Sequence, residues 1–366
     1  MSREKSRLEC SDTEKRRSLE RLAALGLGAA TLGLQGTARA GEAGRKLVFA
    51  AYGGTFQKAL ETTVIPMFEK EHGVKVVIVT ATASKMLAQI KAQKNNPQVD
   101  VMLAADLTHL PTKKSGVSDR LDVKRMKNYA DTYEFARDPD AVGVVLGFQS
   151  FGIQYNTKVF AEKGWAVPTS WWDLWDPKYK GHLVMPSIAG SYMQTFLGTI
   201  AILRGGGTAN LEPAWVKFRE LVPNVMAFPT TVAQVDSLFA SGSAWIGPNS
   251  SGRIADLAAT GVPVAMAIPK EGASKSWMSI NVVKNAPNPQ LALAFVDFMI
   301  GEAAQYHIAT AMRLGPVNRK VKLSAKEAAD VPYGPEVLKK LIDVDMEPLE
   351  ANHGAIVDQI NRMIAR

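Results

Sequence analysis

The chain has 366 residues, 46% hydrophobic and 21% charged, with a formal net charge of +8. That composition fits a globular protein able to bury sizeable cores. Its basic residues are scattered, without a Lys/Arg-rich run or an aromatic–basic alternation, which excludes an evident nucleic-acid face.

The first forty residues read as an export leader. Arg16-Arg17 lie in a basic segment, a Gly/Ala-rich apolar stretch runs from Leu22 to Leu34, and Ala38-Arg39-Ala40 supplies a small-x-small cleavage pattern. Cleavage after Ala40 is expected, leaving 326 residues with a charge of +5. The apolar stretch is too short to span a bilayer, which needs about 20 residues. Twin arginines and Leu19 suggest the twin-arginine route; Glu20 fits it poorly, and the general secretory route stays open. Cys10, the only cysteine, lies within the leader. The mature protein is therefore expected to have no disulfide, lipid-bearing cysteine or thiol nucleophile, and to work in the periplasm.

Beyond the leader, strands and helices alternate. Lys46–Ala51 predicts a buried strand, broken at Gly53-Gly54. Thr55 is the expected cap of a helix through Phe56, Leu60, Val64 and Phe68, kinked at Pro66 and ended by Gly73. Val74–Ala81 predicts a second strand, Ser84 to Lys94 an amphipathic helix, and Val99–Ala105 a third strand. This order implies a mostly parallel, helix-covered α/β layer. The pattern resets near 147–155, an extended segment crossing into a second α/β region. There, strands are expected at Leu183–Met185, Ala244–Ile246, Val264–Ile268 and Ser276–Val283. Helices are expected from Ser191 to Arg204, over Ala214–Leu221 and Val232–Ser241, and from Gln290 to Ile300 after Pro287-Asn288-Pro289.

In open parallel sheets, ligands bind beyond the carboxyl ends of the strands. That rule selects Tyr52, Gly53, Gly54 and Thr55 after the first strand, Thr82 and Ser84 after the second, and Asp106 after the third. In the second region it selects Ser187, Ser191 and Tyr192, then Asn249, Ser250, Ser251 and Arg253. A cation in a first helical turn opposes the helix dipole, so helix stability does not select Arg253. Its planar guanidinium suits a carboxylate ligand, the alternative being an ion pair with a neighbouring acid. Trp277 and Ser279, on the returning strand, are further candidates: the ring could stack on a ligand or pack the hinge. The Trp171-Trp172…Trp175 cluster reads as local packing. The five histidines are isolated, so neither a metal nor another cofactor is expected.

Seven segments in order, from FGIQYNTKVF (151–160) and PTSWWDLWDPKYKG (168–181) to SWMSINVVKNAPNPQLALAFVDFM (276–299) and LGPVNR (314–319), carry a family resemblance. Between them stand VPNVMAF, FASGSAWIG and GVPVAMAIPKEG. The chain resembles the periplasmic solute-binding proteins of ABC importers, in the spermidine/putrescine-binding-like group. The resemblance implies a two-lobed type II periplasmic binding protein, each lobe a mostly parallel sheet flanked by helices, with ligand in the interlobe cleft. It implies discontinuous lobes, 41–148 with 279–316 and 149–278 with 317–366. It also implies a monomer that delivers its solute to an inner-membrane ABC permease with its ATPase.

The group's polyamine chemistry does not carry over residue by residue. Where the resemblance implies acids, this chain has Gly54-Thr55-Phe56, Ser187-Ile188 and Ser279, and Arg253 is added. Burying a dication without carboxylates is unfavourable, so a neutral or, in preference, an anionic solute is expected, a small carboxylate suiting Arg253 and the hydroxyls, with a phosphonate as the other anion. A polyamine receptor of the same fold remains the alternative. Iron-binding relatives use adjacent tyrosines, which are missing here. Transferases on this fold use a cysteine, which the mature chain lacks, so no enzyme activity is expected. A sensing role beside a membrane receptor is not separable from transport by sequence.

Overall fold

The computed structural model describes residues 45–365 except residue 330. The leader, with Arg16-Arg17, Cys10 and the cleavage site after Ala40, lies outside the described residues. Among the described residues nine strands form one mixed sheet: β1 (Lys46–Ala51), β2 (Lys75–Thr80), β3 (Val101–Ala105), β4 (Val144–Asn156), β5 (Leu183–Val184), β6 (Val225–Ala227), β7 (Ile246–Ser250), β8 (Val264–Ala267) and β9 (Ser274–Val282). Their order is β2-β1-β3-β9-β4-β7-β5-β6, with β8 on β4. The outer blocks are parallel, β2-β1-β3 at one end and β7-β5-β6 at the other. Between them β9 and β4 run antiparallel to their neighbours.

Strand β4 is 13 residues long because it serves both blocks. Val144 to Phe151 pairs with β9, and Phe151 to Asn156 pairs with β7 and β8. The apolar cores divide along it. One gathers Leu47, Phe49, Phe68, Met102, Phe148 and Phe295; the other gathers Phe151, Trp171, Leu183, Phe196, Phe218 and Ile360. A smaller cluster around Val235, Phe239 and Ile254 lies under β7 and β8. Trp171 is fully buried and donates its indole N–H to the Gly272 carbonyl at 2.8 Å, a packing role.

Several local expectations are corrected. The first helical stretch is two helices, Thr55–Thr62 and Val64–His72. The break falls at Thr63, not at Pro66. A continuous helix would drive the Pro66 ring into the carbonyl of Thr62, four residues back, whereas a restart at Val64 puts Pro66 in a first turn that needs no N–H donor. Thr55 is not the cap: Gly54 is, in a left-handed conformation (φ 72°) that favours glycine. Thr82 caps the next helix, Ala83–Ala92, by accepting from the Lys85 amide at 3.4 Å, so Ser84 lies inside that helix. The strand expected at Ala244–Ile246 instead runs Ile246–Ser250, so Asn249 and Ser250 belong to it and the helix Ser251–Ala259 starts directly after it.

Candidate ligand-binding cleft

A cavity of about 600 Å³ opens where the strand ends of both blocks meet the crossing pair β4 and β9. Of the residues expected from sequence, Tyr52, Thr82, Asp106, Ser187, Ser191, Tyr192, Asn249, Arg253 and Trp277 line it. Gly53, Gly54, Thr55, Ser84, Ser250, Ser251 and Ser279 do not. The first four of these are exposed, Gly53 and Gly54 in the turn from strand to helix and Thr55 and Ser84 in the first turns of their helices.

Asp106 opens the helix Asp106–Lys114 and is only 4% exposed. One carboxylate oxygen accepts from the Leu107 amide at 2.8 Å, the other from the Ser276 hydroxyl at 2.8 Å. Burial pushes its carboxyl up, and the bonds from Ser276 and the Leu107 and Trp277 amides oppose that only in part. Beside it the Tyr52 hydroxyl is buried and has no hydrogen-bond partner. Burial, with the nearby charge of Asp106, pushes that phenol well above its ordinary range.

The opposite wall carries Arg253 in the first turn of Ser251–Ala259. Its guanidinium pairs with Asp236 of the helix Val232–Ala240, the neighbouring-acid alternative to a free clamp. The pairing is incomplete: Arg253 Nε and Asp236 Oδ1 are both buried without partners. Burial raises the Asp236 carboxyl and Arg253 opposes the rise, leaving it above the ordinary value. Tyr192 stands between the charged groups, its hydroxyl 2.9 Å from that of Ser250, and burial raises it.

Other hydroxyls and amides are committed internally. Asn249 donates to Gln154 at 2.7 Å and accepts from the Ser250 amide at 2.9 Å. Ser187 donates to the Thr230 carbonyl at 2.8 Å. Ser279 is buried behind the cleft, its hydroxyl 2.8 Å from His109 Nδ1 and from Asn281 Oδ1. His109 Nε2 in turn lies 3.1 Å from Asp138, and the His109 ring meets the Trp277 ring edge-on at 5.3 Å.

Sequence reasoning missed Gln149 and Ser276, both lining the cavity from the crossing strands. They are register partners on β4 and β9. The strand-end rule looks only at loops, whereas an antiparallel crossing pair presents mid-strand side chains to the cleft. The available signal was the polar residues, Gln149 among them, set within the otherwise apolar extended segment GFQSFGIQYN.

A mixed α/β sheet, crossing central strands and a cleft lined from both parallel blocks define a type II periplasmic binding protein. The family model of bacterial extracellular solute-binding proteins matches residues 63–333, and the chain belongs to that family. It is 26% identical to the spermidine/putrescine-binding periplasmic protein of Escherichia coli, over 65% of this chain and 68% of that one. It is also 26% identical to iron uptake protein A1 of Synechocystis, over 72% of this chain and 74% of that one. A solved ABC transporter structure from Clostridium perfringens superimposes with a TM-score of 0.76 at 26% identity, covering 87% of this chain and 99% of that one. The family and these relatives are substrate-binding proteins rather than enzymes, of the kind that captures a small ligand for an ABC permease. Among the described residues, no helix is long and apolar enough to cross a membrane.

Proposed function

We propose that this solute-binding protein captures a small carboxylate in its cleft and releases it to an inner-membrane ABC permease. One observation carries the carboxylate reading: Arg253 lines the cavity with a buried Nε–H that no atom among the described residues accepts. A buried unmade hydrogen bond costs about 1–3 kcal/mol, and a ligand carboxylate accepting from the Nε edge of the guanidinium would relieve it. We further propose two lobes, 41–148 with 279–316 and 149–278 with 317–366, which close on the solute as a monomer; the two large apolar clusters support the division except at Val317, which packs in the first. Residues 1–40 are proposed to direct export to the periplasm and to be removed after Ala40.

The test is calorimetric titration of organic acids into the wild-type protein and the Arg253→Ala and Arg253→Lys variants. Binding of an acid that is lost in Ala and weakened in Lys supports the reading, since a point charge lacks the planar fork. Unchanged affinity in both variants contradicts it.

A further inference from the structure

The wall facing Arg253 has a charge problem of its own. Asp106 is nearly fully buried at the cleft, and its partners are a hydroxyl and two amides, none of them a cation. β3, which leads directly into Asp106, and β7, which leads to Arg253, are separated by β9 and β4. Three strand spacings put these walls roughly 14 Å apart at about 4.8 Å per spacing.

We propose that the solute carries a cationic nitrogen as well as a carboxylate, Asp106 holding the nitrogen, so that the ligand is a zwitterion of the amino-acid class. This rests on the carboxylate reading of Arg253. A carboxylate has about four lone-pair positions, and three donors from the protein leave room for one N–H from the ligand. Tyr52 supplies a second acceptor, since its buried hydroxyl has no partner among the described residues. The Trp277 and Tyr52 rings both line the cavity, and aromatic rings attract a cation. An ammonium at this point would neutralise a buried charge that neutral donors only partly stabilise. A simple anion placed there would meet Asp106 as a like charge. A dication would be satisfied at Asp106 but repelled at Arg253. A zwitterion alone matches both walls.

The experiment titrates L-amino acids and straight-chain ω-amino acids into the wild-type protein, each beside the matching acid without nitrogen and the matching diamine. The expected result is an amino acid that binds roughly thirtyfold or more tightly than its acid, with the diamine silent. Asp106→Asn, which keeps the shape and removes the charge, should bring the amino acid down to the acid's affinity. An acid that binds as tightly as its amino acid overturns the zwitterion and leaves the carboxylate reading standing. A diamine as the tightest ligand overturns the carboxylate reading itself. Failure of every amino acid to bind overturns the proposal. If Asp106→Asn does not fold, the wild-type comparison between amino acid and acid decides the matter.

Discussion

The two walls of the cleft treat charge in different ways. On one, Asp106 is buried and held by neutral donors; on the other, Arg253 is about a third exposed and already leans on Asp236. The buried acid is fixed, because an amide of its own helix and a strand hydroxyl hold both oxygens. The guanidinium has a substitute anion that a ligand can join or displace. One wall is preorganised, whereas on the proposed reading the other is occupied by an internal carboxylate until the solute arrives.

The largest expected effect comes from removing the adjustable wall. Arg253→Ala should weaken binding of the carboxylate solute by roughly thirtyfold or more in calorimetry. Equal affinity would show that Asp236 keeps the guanidinium to itself. The fixed wall is tested one shell further back, at Asp138, whose side chain is 9% exposed. Burial alone would raise its carboxyl, but bonds from His109, Lys113 and the Val142 and Asp140 amides win and hold it well below the usual 3.8. Because the folded value is depressed, the stabilisation is complete above the usual carboxylate range and is lost as pH falls below about 4. Asp138→Asn should cost about 1–3 kcal/mol in urea melts at pH 7, and less at pH 3. An equal cost at both pH values would contradict the charge argument.

Smaller effects separate the walls more finely. Tyr192→Phe removes the 2.9 Å bond to Ser250 and should destabilise by about 0.5–1.5 kcal/mol in thermal melts. No loss would place the Ser250 hydroxyl in water. A methyl at Gly252 would run into the Gln149 amide, so Gly252→Ala should push Gln149 toward the cavity and change affinity by a few-fold, roughly, with little change in melting temperature. A large loss of stability instead would mean that the helix, not Gln149, had moved.

Much of the fold was legible because its signals are local. The β-branched strands, the glycine at the end of the Val64–His72 helix and the apolar run after Pro289 each declare themselves within a few residues. The strand-end rule then brought eight candidates to one cavity, and Trp277 of the returning strand joins them. What stayed hidden depends on partners distant in sequence. Asp236 reaches Arg253 from another helix, and Gln149 reaches the cavity only because β4 crosses between blocks. The satisfied state of Asn249 was equally invisible, since Gln154 lies on a different strand. The helix break at Thr63 was readable in principle: proline excludes the carbonyl four residues behind it, so the break precedes the ring.

The most direct measurement is a thermal-shift comparison of organic and amino acids with spermidine and putrescine, run on the wild-type protein and Arg253→Ala. A solute that binds only the folded state raises its melting temperature by mass action. The account predicts stabilisation by a carboxylate-bearing solute in the wild type and none in the variant. Stabilisation by spermidine or putrescine, with no acid effective, would contradict it.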